Sequence, residues 1–338
     1  GHTAALGRLP LREAGHPVPD AAGEVGALAV EQAVLGLTAD DLVICCLSGG
    51  ASALLPAPRL PVTLADKQTI TRLMLASGAD IHAVNTVRKH LSRLKGGRLA
   101  LACAPASVLT LVISDVSGDD LSVIGSGPLA ADPTTDTDAL AVLLRHVPIE
   151  QIPLTVLAVL ASEEQWTPKP GDPQLARVHH QIIASNALAM SAAGRTTNLS
   201  SEKKVILAES LSGEAWQAAE RFCLQAADLP AGSLLIGGGE TTVTLGEQPG
   251  MGGRNQEFAL AAARWIMAHD APLTVLAAGT DGNDGLTDAA GGVVDGGTWE
   301  RALAAGCDPH RALARHDAYP VLRAAGDLLI TGPTNAGK

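Results

Sequence analysis

Leu42-Val-Ile-Cys-Cys-Leu47-Ser48-Gly49-Gly50-Ala51-Ser52 decides the fold of this chain. Six consecutive apolar residues, partly β-branched, run straight into a polar glycine turn. A strand buried on both faces of a parallel sheet has that composition. Val108 to Ile113 repeats the design and ends in Ser114-Asp115. Helical patterns flank the two runs. Asp20 to Leu35 and Leu64 to Ala76 are rich in Ala and Leu, and Thr63 stands where the N-cap of the second belongs. Strands alternating with helices predict an α/β fold.

With 338 residues the chain exceeds one ordinary core, and two domains are expected. Hydrophobic residues make up 46% but aromatics only 2%, so the core must be built of Ala, Leu and Val. The net charge of −11 and the lack of a basic block argue against nucleic acid as a partner. Cys45, Cys46, Cys103, Cys223 and Cys307 form an odd set without C-x-x-C spacing, and read as buried free thiols in a reducing cytoplasm. No uncharged apolar run is long enough to span a membrane, and the first residues show no signal-peptide pattern. Gly1-His2-Thr3 opens without Met, strand or cap and reads as a start inside a domain.

Further along, Val205 to Leu207 is a weaker strand and Ser212 to Ala227 a helix with Ser212 as its cap. Pro148 to Pro173 holds five prolines and reads as a loop-rich insertion on the first domain. The break Asp228-Leu-Pro-Ala-Gly232 places the boundary near residue 229, giving domains 1–228 and 229–338. The second begins with Ser233 to Ile236 and the turn Gly237-Gly-Gly-Glu240. Thr241 to Leu245 follows as a strand and Glu257 to His269 as an Ala-rich helix. It is the smaller, mixed α/β domain.

Five stretches carry chemistry. In Ser48-Gly49-Gly50-Ala51-Ser52, small side chains let backbone N–H groups approach an anion, with two hydroxyls as further donors. A tight structural turn is the alternative, and neither serine has the flanking glycines of G-x-S-x-G. Ser114-Asp115, followed by Gly118-Asp119-Asp120, could take Mg²⁺ or accept a hydroxyl proton, or merely cap a helix. Arg88-Lys89-His90 and Lys95-Gly96-Gly97 suit phosphate, with a solvated helix end as the alternative. Gly252-Gly-Arg254-Asn255-Gln-Glu257 opens a helix whose free N–H groups favour an anion, and Arg254 adds a bidentate donor.

The fifth stretch is Gly279 to Asp288, which interleaves Asp281, Asp284 and Asp288 with three glycines after the apolar Leu273 to Ala278. It suits a hard cation or polar ligand, against the alternative of an acidic turn. Calcium-loop geometry fails, because Leu286 and Gly292 stand where Gly and Glu are needed. Gly332-Pro-Thr-Asn-Ala-Gly337-Lys338 spells part of a Walker A but is not followed by Ser/Thr. The dinucleotide fingerprint G-x-G-x-x-G is absent. His179-His180 has no zinc spacing, and most histidines read as surface residues.

Taken together, these stretches resemble the glycerate 2-kinase family of the two-domain, MOFRL-containing type. The likeness runs from Glu13-Ala-Gly-His-Pro-Val-Pro-Asp20 through the serine-glycine loop, Asn85-Thr-Val-Arg-Lys-His-Leu91 and Leu94-Lys-Gly-Gly-Arg98. It continues through Ile113 to Asp120, Gly125-Ser-Gly-Pro128, Gly238-Gly-Glu-Thr-Thr242, Gly252 to Glu257, Gly279 to Asp288 and Thr331-Gly-Pro-Thr334. The resemblance implies a Rossmann-like first domain, a smaller second one, and an active site in the cleft between them. It implies ATP- and Mg²⁺-dependent phosphorylation of D-glycerate at its 2-hydroxyl, in the cytoplasm, with a homodimer as the oligomer to consider. The family's Gly-Lys pair, with a lysine central to catalysis, would precede Gly1.

The resemblance implies roles as well. Arg254 would hold the substrate carboxylate or γ-phosphate, Asp115 would orient the hydroxyl or bind Mg²⁺, and Lys89 would join them in catalysis. Ser48, Gly49, Gly50, Ser52, Arg88, Lys95, Glu240, Asn255 and Glu257 would bind substrate and phosphate. Asp119, Asp281, Asp284 and Asp288 would form the metal-binding or polar wall. Two other functions compete. A hydroxypyruvate reductase needs a nicotinamide site, and a non-catalytic phosphosugar-binding module would rest on Ser48 to Ser52 alone.

Overall fold

A computed structural model of the chain describes residues 7–116, 118–162 and 164–334. The chain divides into two compact units between Ser185 and Asn186. Asn335 to Lys338, which complete the partial Walker A, and Gly1 to Thr3 lie outside the described residues.

The first unit runs α1 (Ala21–Ala33), β1 (Leu42–Leu47), α2 (Ala51–Leu54), α3 (Leu64–Ala76), α4 (Ile81–His90), α5 (Arg98–Cys103), β2 (Ser107–Ile113), α6 (Asp136–His146), α7 (Leu154–Leu160) and β3 (Val178–Ala184). Its strands are parallel in the order β1-β2-β3, with Leu42 opposite Ser107 and Val108 opposite Val178. Asp20 caps α1 by accepting from Gly23 N–H at 2.8 Å. Thr63 and Asp66 close a reciprocal capping box on α3.

Side chains alternate along each strand, so one face of the sheet gathers Val43, Cys45, Val108 and Val178. These pack with Ala27 of α1 and Leu99, Ala100 and Cys103 of α5. Cys103 is buried, Cys45 half-buried and Cys46 exposed. The other face of β1 is open, with Leu42 and Ile44 61% and 59% exposed. This corrects the expectation of burial on both sides: among the described residues β1 is an edge strand whose packed helices lie on one face.

A second core joins α3, α4, α6 and α7 through Ile70, Met74, Val84, Val87, Leu143, Val156 and Leu160. The five-proline stretch is therefore only partly loop: α7 within it packs into the core, while the described residues from 161 to 172 carry no helix or strand. Pro153 sits at the N-cap of α7, where a missing N–H costs nothing, and the helix behind it belongs to the core.

The second unit runs α8 (Asn186–Arg195), β4 (Lys204–Ile206), β5 (Leu211–Glu214), α9 (Ala215–Ala227), β6 (Leu234–Ile236), β7 (Gly239–Thr242), α10 (Arg254–His269), β8 (Val275–Ala278), β9 (Gly291–Val294), α11 (Thr298–Ala304), α12 (Pro309–Ala314), α13 (Ala318–Ala325) and β10 (Leu328–Leu329). It is a mixed α/β unit: β4 pairs with β6 and β5 with β7 in parallel, while β10-β9-β8 is antiparallel.

The expected helix from Ser212 is corrected here. Ser212 lies in β5 opposite Glu240, and α9 starts at Ala215. Ala215, Ala218 and Ala219 of α9 meet Ala259, Ala262 and Ala263 of α10 in one core, where small side chains let the helices close up. Leu276 of β8 is 60% exposed, as befits an edge strand rather than a buried one.

Candidate functional site

In the first unit the site grows from the C-terminal ends of β1 and β2, where open α/β sheets bind ligands. Ser48, Gly49 and Gly50 leave β1 and turn into α2, with Gly50 at φ 78°, a conformation that favours glycine. Asp115, leaving β2, lays its carboxylate on this turn. A Cβ at Gly49 would come within 1.9 Å of Asp115 Oδ2, so only glycine leaves room for it. Asp115 is exposed, and no hydrogen bond to its carboxylate occurs among the described residues. Asp119, further along the loop that follows β2, adopts φ 55°, a left-handed turn.

Behind the turn stands Gly125-Ser126-Gly127, with φ of 58°, 62° and 57°. Ser126 is fully buried, and its Oγ lies 2.7 Å from Ser52 Oγ. Its hydroxyl donates to Asn85 Oδ1 of α4 at 2.9 Å, while Asn85 Nδ2 donates to the Val123 carbonyl. From the other side Gly96 N–H donates to the Ser126 carbonyl and Gly97 N–H to that of Gly127. The structure thus brings the serine-glycine loop, Asp115, Asn85 and the Lys95-Gly96-Gly97 turn together. Sequence reasoning did not single out Asn85 and Ser126, although the glycines flanking Ser126 are a signal of its unusual backbone.

The basic cluster turns out differently. Lys89 is buried and pairs with Asp132 at 2.9 Å. His90, far from the surface role expected, is 1% exposed, with Nδ1 2.6 Å from Asp136 and Nε2 3.1 Å from Asp132. Burial would lower its pKa, but its hydrogen bonds to the two carboxylates outweigh that and raise it. Arg59 holds Asp136 at 2.9 Å and lies 4.1 Å over the Trp166 ring. Lys95 Nζ donates to the Leu55 carbonyl at 2.6 Å and Lys67 Nζ to that of Leu91 at 2.8 Å. Those carbonyls are the C-caps of α2 and α4, so both lysines cap helix ends. Burial lowers Lys95 to about 7, with Arg88 adding to the effect. Lys89 and Lys95 are therefore turned into the fold, and Arg88 is half-buried.

In the second unit the N-terminus of α10 is filled by the protein itself. Asp284 Oδ1 accepts from Asn255 N–H and Nδ2 at 3.0 and 3.1 Å, and Oδ2 accepts from Gln256 N–H at 2.8 Å. A Cβ at Gly253 would lie 2.3 Å from the Asp284 carboxyl carbon, which explains the glycine. The anion expected at this helix end is thus the chain's own carboxylate, which leaves Asn255 committed to structure.

Arg254 is 39% exposed and pairs with Glu240 at 2.7 Å, with the Thr241 carbonyl 3.1 Å away. Glu257, one turn on, is buried against His316 Nδ1 at 2.8 Å; burial raises its pKa and His316 opposes the shift. His316, at φ 55°, was not foreseen either.

The other aspartates of the glycine loop are also engaged. Asp281 accepts from Asn283 N–H, and its carbonyl accepts from Thr334 N–H. Asp288 accepts from the Tyr319 hydroxyl at 2.7 Å. Each of the three carboxylates has its own protein donor. No group of three or more His, Cys, Asp or Glu gathers for a metal among the described residues.

Two α/β units with glycine-bent loops at strand and helix ends define the class, an α/β protein whose exposed loops suit a polar ligand and which lacks a dinucleotide fingerprint. Comparison with known proteins makes it specific. The domain of unknown function DUF4147 matches residues 1–161, and the MOFRL family matches residues 233–337. A glycerate 2-kinase from Pyrococcus horikoshii is 39% identical over 99% of this chain and 77% of its own length. A protein from Agrobacterium vitis, provisionally named hydroxypyruvate reductase, is 42% identical over 99% of this chain and 76% of its own. The crystal structure of glycerate kinase from Thermotoga maritima superposes with a TM-score of 0.81 at 39% identity, covering 95% of this chain and 77% of that one. The chain belongs to the glycerate 2-kinase family, and it is an enzyme of the kinase class.

Proposed function

We propose that the protein transfers the γ-phosphoryl group of ATP to the 2-hydroxyl of D-glycerate, giving 2-phosphoglycerate. The observation that carries this reading is Asp115, an exposed carboxylate laid on the Gly49-Gly50 turn at the strand ends of the first unit. Its oxygens can accept the substrate hydroxyl's hydrogen bond and orient that oxygen for attack. Arg254, part-exposed at the start of α10, supplies the fork for a carboxylate or phosphate once Glu240 yields it. Magnesium, when bound with the nucleotide, would supply neutralisation of phosphate charge. We assign Asp115 and Asp119, the carboxylates of the loop after β2, to hold it, because Asp281, Asp284 and Asp288 each already accept a hydrogen bond from the protein.

The reading places the enzyme in the cytoplasm, where its cysteines remain thiols. No described helix is long and apolar enough to cross a membrane. A homodimer is the oligomer to seek by sedimentation.

The second reading, an NAD(P)H-dependent hydroxypyruvate reductase, is favoured by the name of the Agrobacterium vitis relative. Against it, the turn after β1 reads Ser48-Gly-Gly-Ala-Ser52, which lacks the glycine spacing of a dinucleotide loop. One assay separates the two. With D-glycerate, ATP and Mg²⁺ we expect ADP and 2-phosphoglycerate in equal amounts; NADH oxidation by hydroxypyruvate without ADP would overturn the kinase. Gly49→Ala supplies the site's own check. Its new Cβ meets the free end of an exposed side chain, so stability should barely move. Phosphoryl transfer should fall by at least roughly tenfold as Asp115 is displaced.

A further inference from the structure

Ser52 invites reading as a donor to phosphate, but its hydrogen-bond partners fix the opposite polarity. Each serine hydroxyl has one proton to give. Asn85 Nδ2 donates to the Val123 carbonyl, which turns Asn85 Oδ1, a pure acceptor, toward Ser126. Ser126 must therefore spend its proton on Asn85 at 2.9 Å. The 2.7 Å contact between Ser126 Oγ and Ser52 Oγ is then a bond donated by Ser52. Donation runs in one direction, from Ser52 to Ser126 to Asn85 to the Val123 carbonyl. The relay is held rigidly: Ser126 is fully buried at φ 62° between two left-handed glycines, and Gly96 N–H holds its carbonyl at 3.0 Å. With its proton turned inward, half-buried Ser52 presents lone pairs outward, and no other partner takes them among the described residues.

We infer that the Ser48–Ser52 loop reads the hydroxyl groups of the acceptor substrate rather than the phosphates of the nucleotide, with Ser52 accepting a hydrogen bond from the hydroxyl that is not phosphorylated. This rests on the kinase reading and assigns one of its two substrates to this loop. The neighbouring Asp115 carboxylate, laid against Gly49, is likewise an acceptor. Two acceptors flanking one turn suit the hydroxyl groups of a polyhydroxy acid, whereas a phosphate beside Asp115 needs the cation that comes with the nucleotide. Asn85 and Ser126 touch no substrate and are positioning residues: they fix which way the Ser52 proton points.

Steady-state kinetics of the full chain test the assignment with D-glycerate, ATP, and D-lactate as a competitive inhibitor that lacks the 3-hydroxyl. In Ser52→Ala and Ser126→Gly, KM for D-glycerate should rise about 5- to 30-fold, the worth of one hydrogen bond. KM for ATP and the inhibition constant of D-lactate should stay within about twofold. Ser126→Gly is chosen because glycine accepts φ 62° without strain, so the turn is kept while the relay is cut. A rise in KM for ATP would overturn the inference, assigning the loop to phosphate. Equal weakening of D-glycerate and D-lactate would overturn it too, since the 3-hydroxyl would then go unread. If the unsubstituted protein forms no ADP with D-glycerate, the kinase reading itself falls; that result is distinct from an active enzyme with unchanged discrimination.

Discussion

At the scale of single residues, the aspartates of the Gly279–Asp288 loop show how one residue type does different work. Asp284 is 4% exposed and serves three donors at the start of a sixteen-residue helix. Its negative charge meets the positive end of the helix dipole as well as unpaired N–H groups. Asp281 accepts one turn N–H at 3.1 Å. Asp284→Ala should therefore destabilise the protein by about 2–3 kcal/mol, and Asp281→Ala by less than about 1 kcal/mol. Urea unfolding of the two variants checks this; equal costs would mean that the cap on α10 contributes little. The difference was not visible in the sequence. Both residues stand beside glycine, and only the missing Cβ of Gly253 lets the Asp284 carboxylate reach the helix end.

At the scale of elements, α4 is tied to α6 by charges instead of by apolar packing alone. His90 and Lys89 leave α4 to meet Asp132 and Asp136, and Asp136 opens α6 while holding Arg59. Since His90 has its pKa raised on folding, its contribution is full below about 6.5 and fades as pH rises through the folded value. Asp132 and Asp136 are lowered despite burial, so theirs is present above about 4 and is lost only in acid. Buried Lys95, lowered to about 7, gives a slope of the opposite sign to His90, which makes the wild-type pH profile alone ambiguous. The comparison with His90→Gln is not. The stability difference between the two proteins should shrink as pH rises from about 6 to about 9. A difference independent of pH would show that His90 acts as a neutral spacer.

Elements were legible where local chemistry suffices. The apolar run Leu42–Leu47 appears as β1 and the Thr63 cap begins α3, because each is specified by neighbours in sequence. β5 was not legible: Leu211 to Glu214 becomes a strand through pairing with Gly239 to Thr242, a partner that no local pattern announces. The same holds for the site. Asp115 could be read from its place at a strand end, whereas the Ser52–Ser126–Asn85 relay joins positions 41 and 74 residues apart.

At the scale of the whole molecule, two divisions of the chain compete. Composition breaks at Asp228 to Gly232, close to residue 233 where the MOFRL match begins, while contacts divide the chain after Ser185. They differ over residues 186–228, which hold α8, β4, β5 and α9. Backbone pairing commits that segment to the C-terminal part of the chain: β4 bonds to β6 and β5 to β7. Its largest apolar face is spent in the same direction, for Ala215, Ala218, Ala219 and Cys223 are fully buried in one core with Phe258 to Ala263 of α10. A fragment beginning at Leu229 would strip that cover from α10 and leave β6 and β7 without partners, at a cost of several kcal/mol by the apolar area uncovered. We therefore propose that 186–338 is the folding unit and expect it to unfold cooperatively in urea. The 229–338 fragment should bind a hydrophobic dye and show no cooperative transition. Cooperative unfolding of the shorter fragment at the same urea midpoint would place the boundary at 229 and make the α9 contact dispensable.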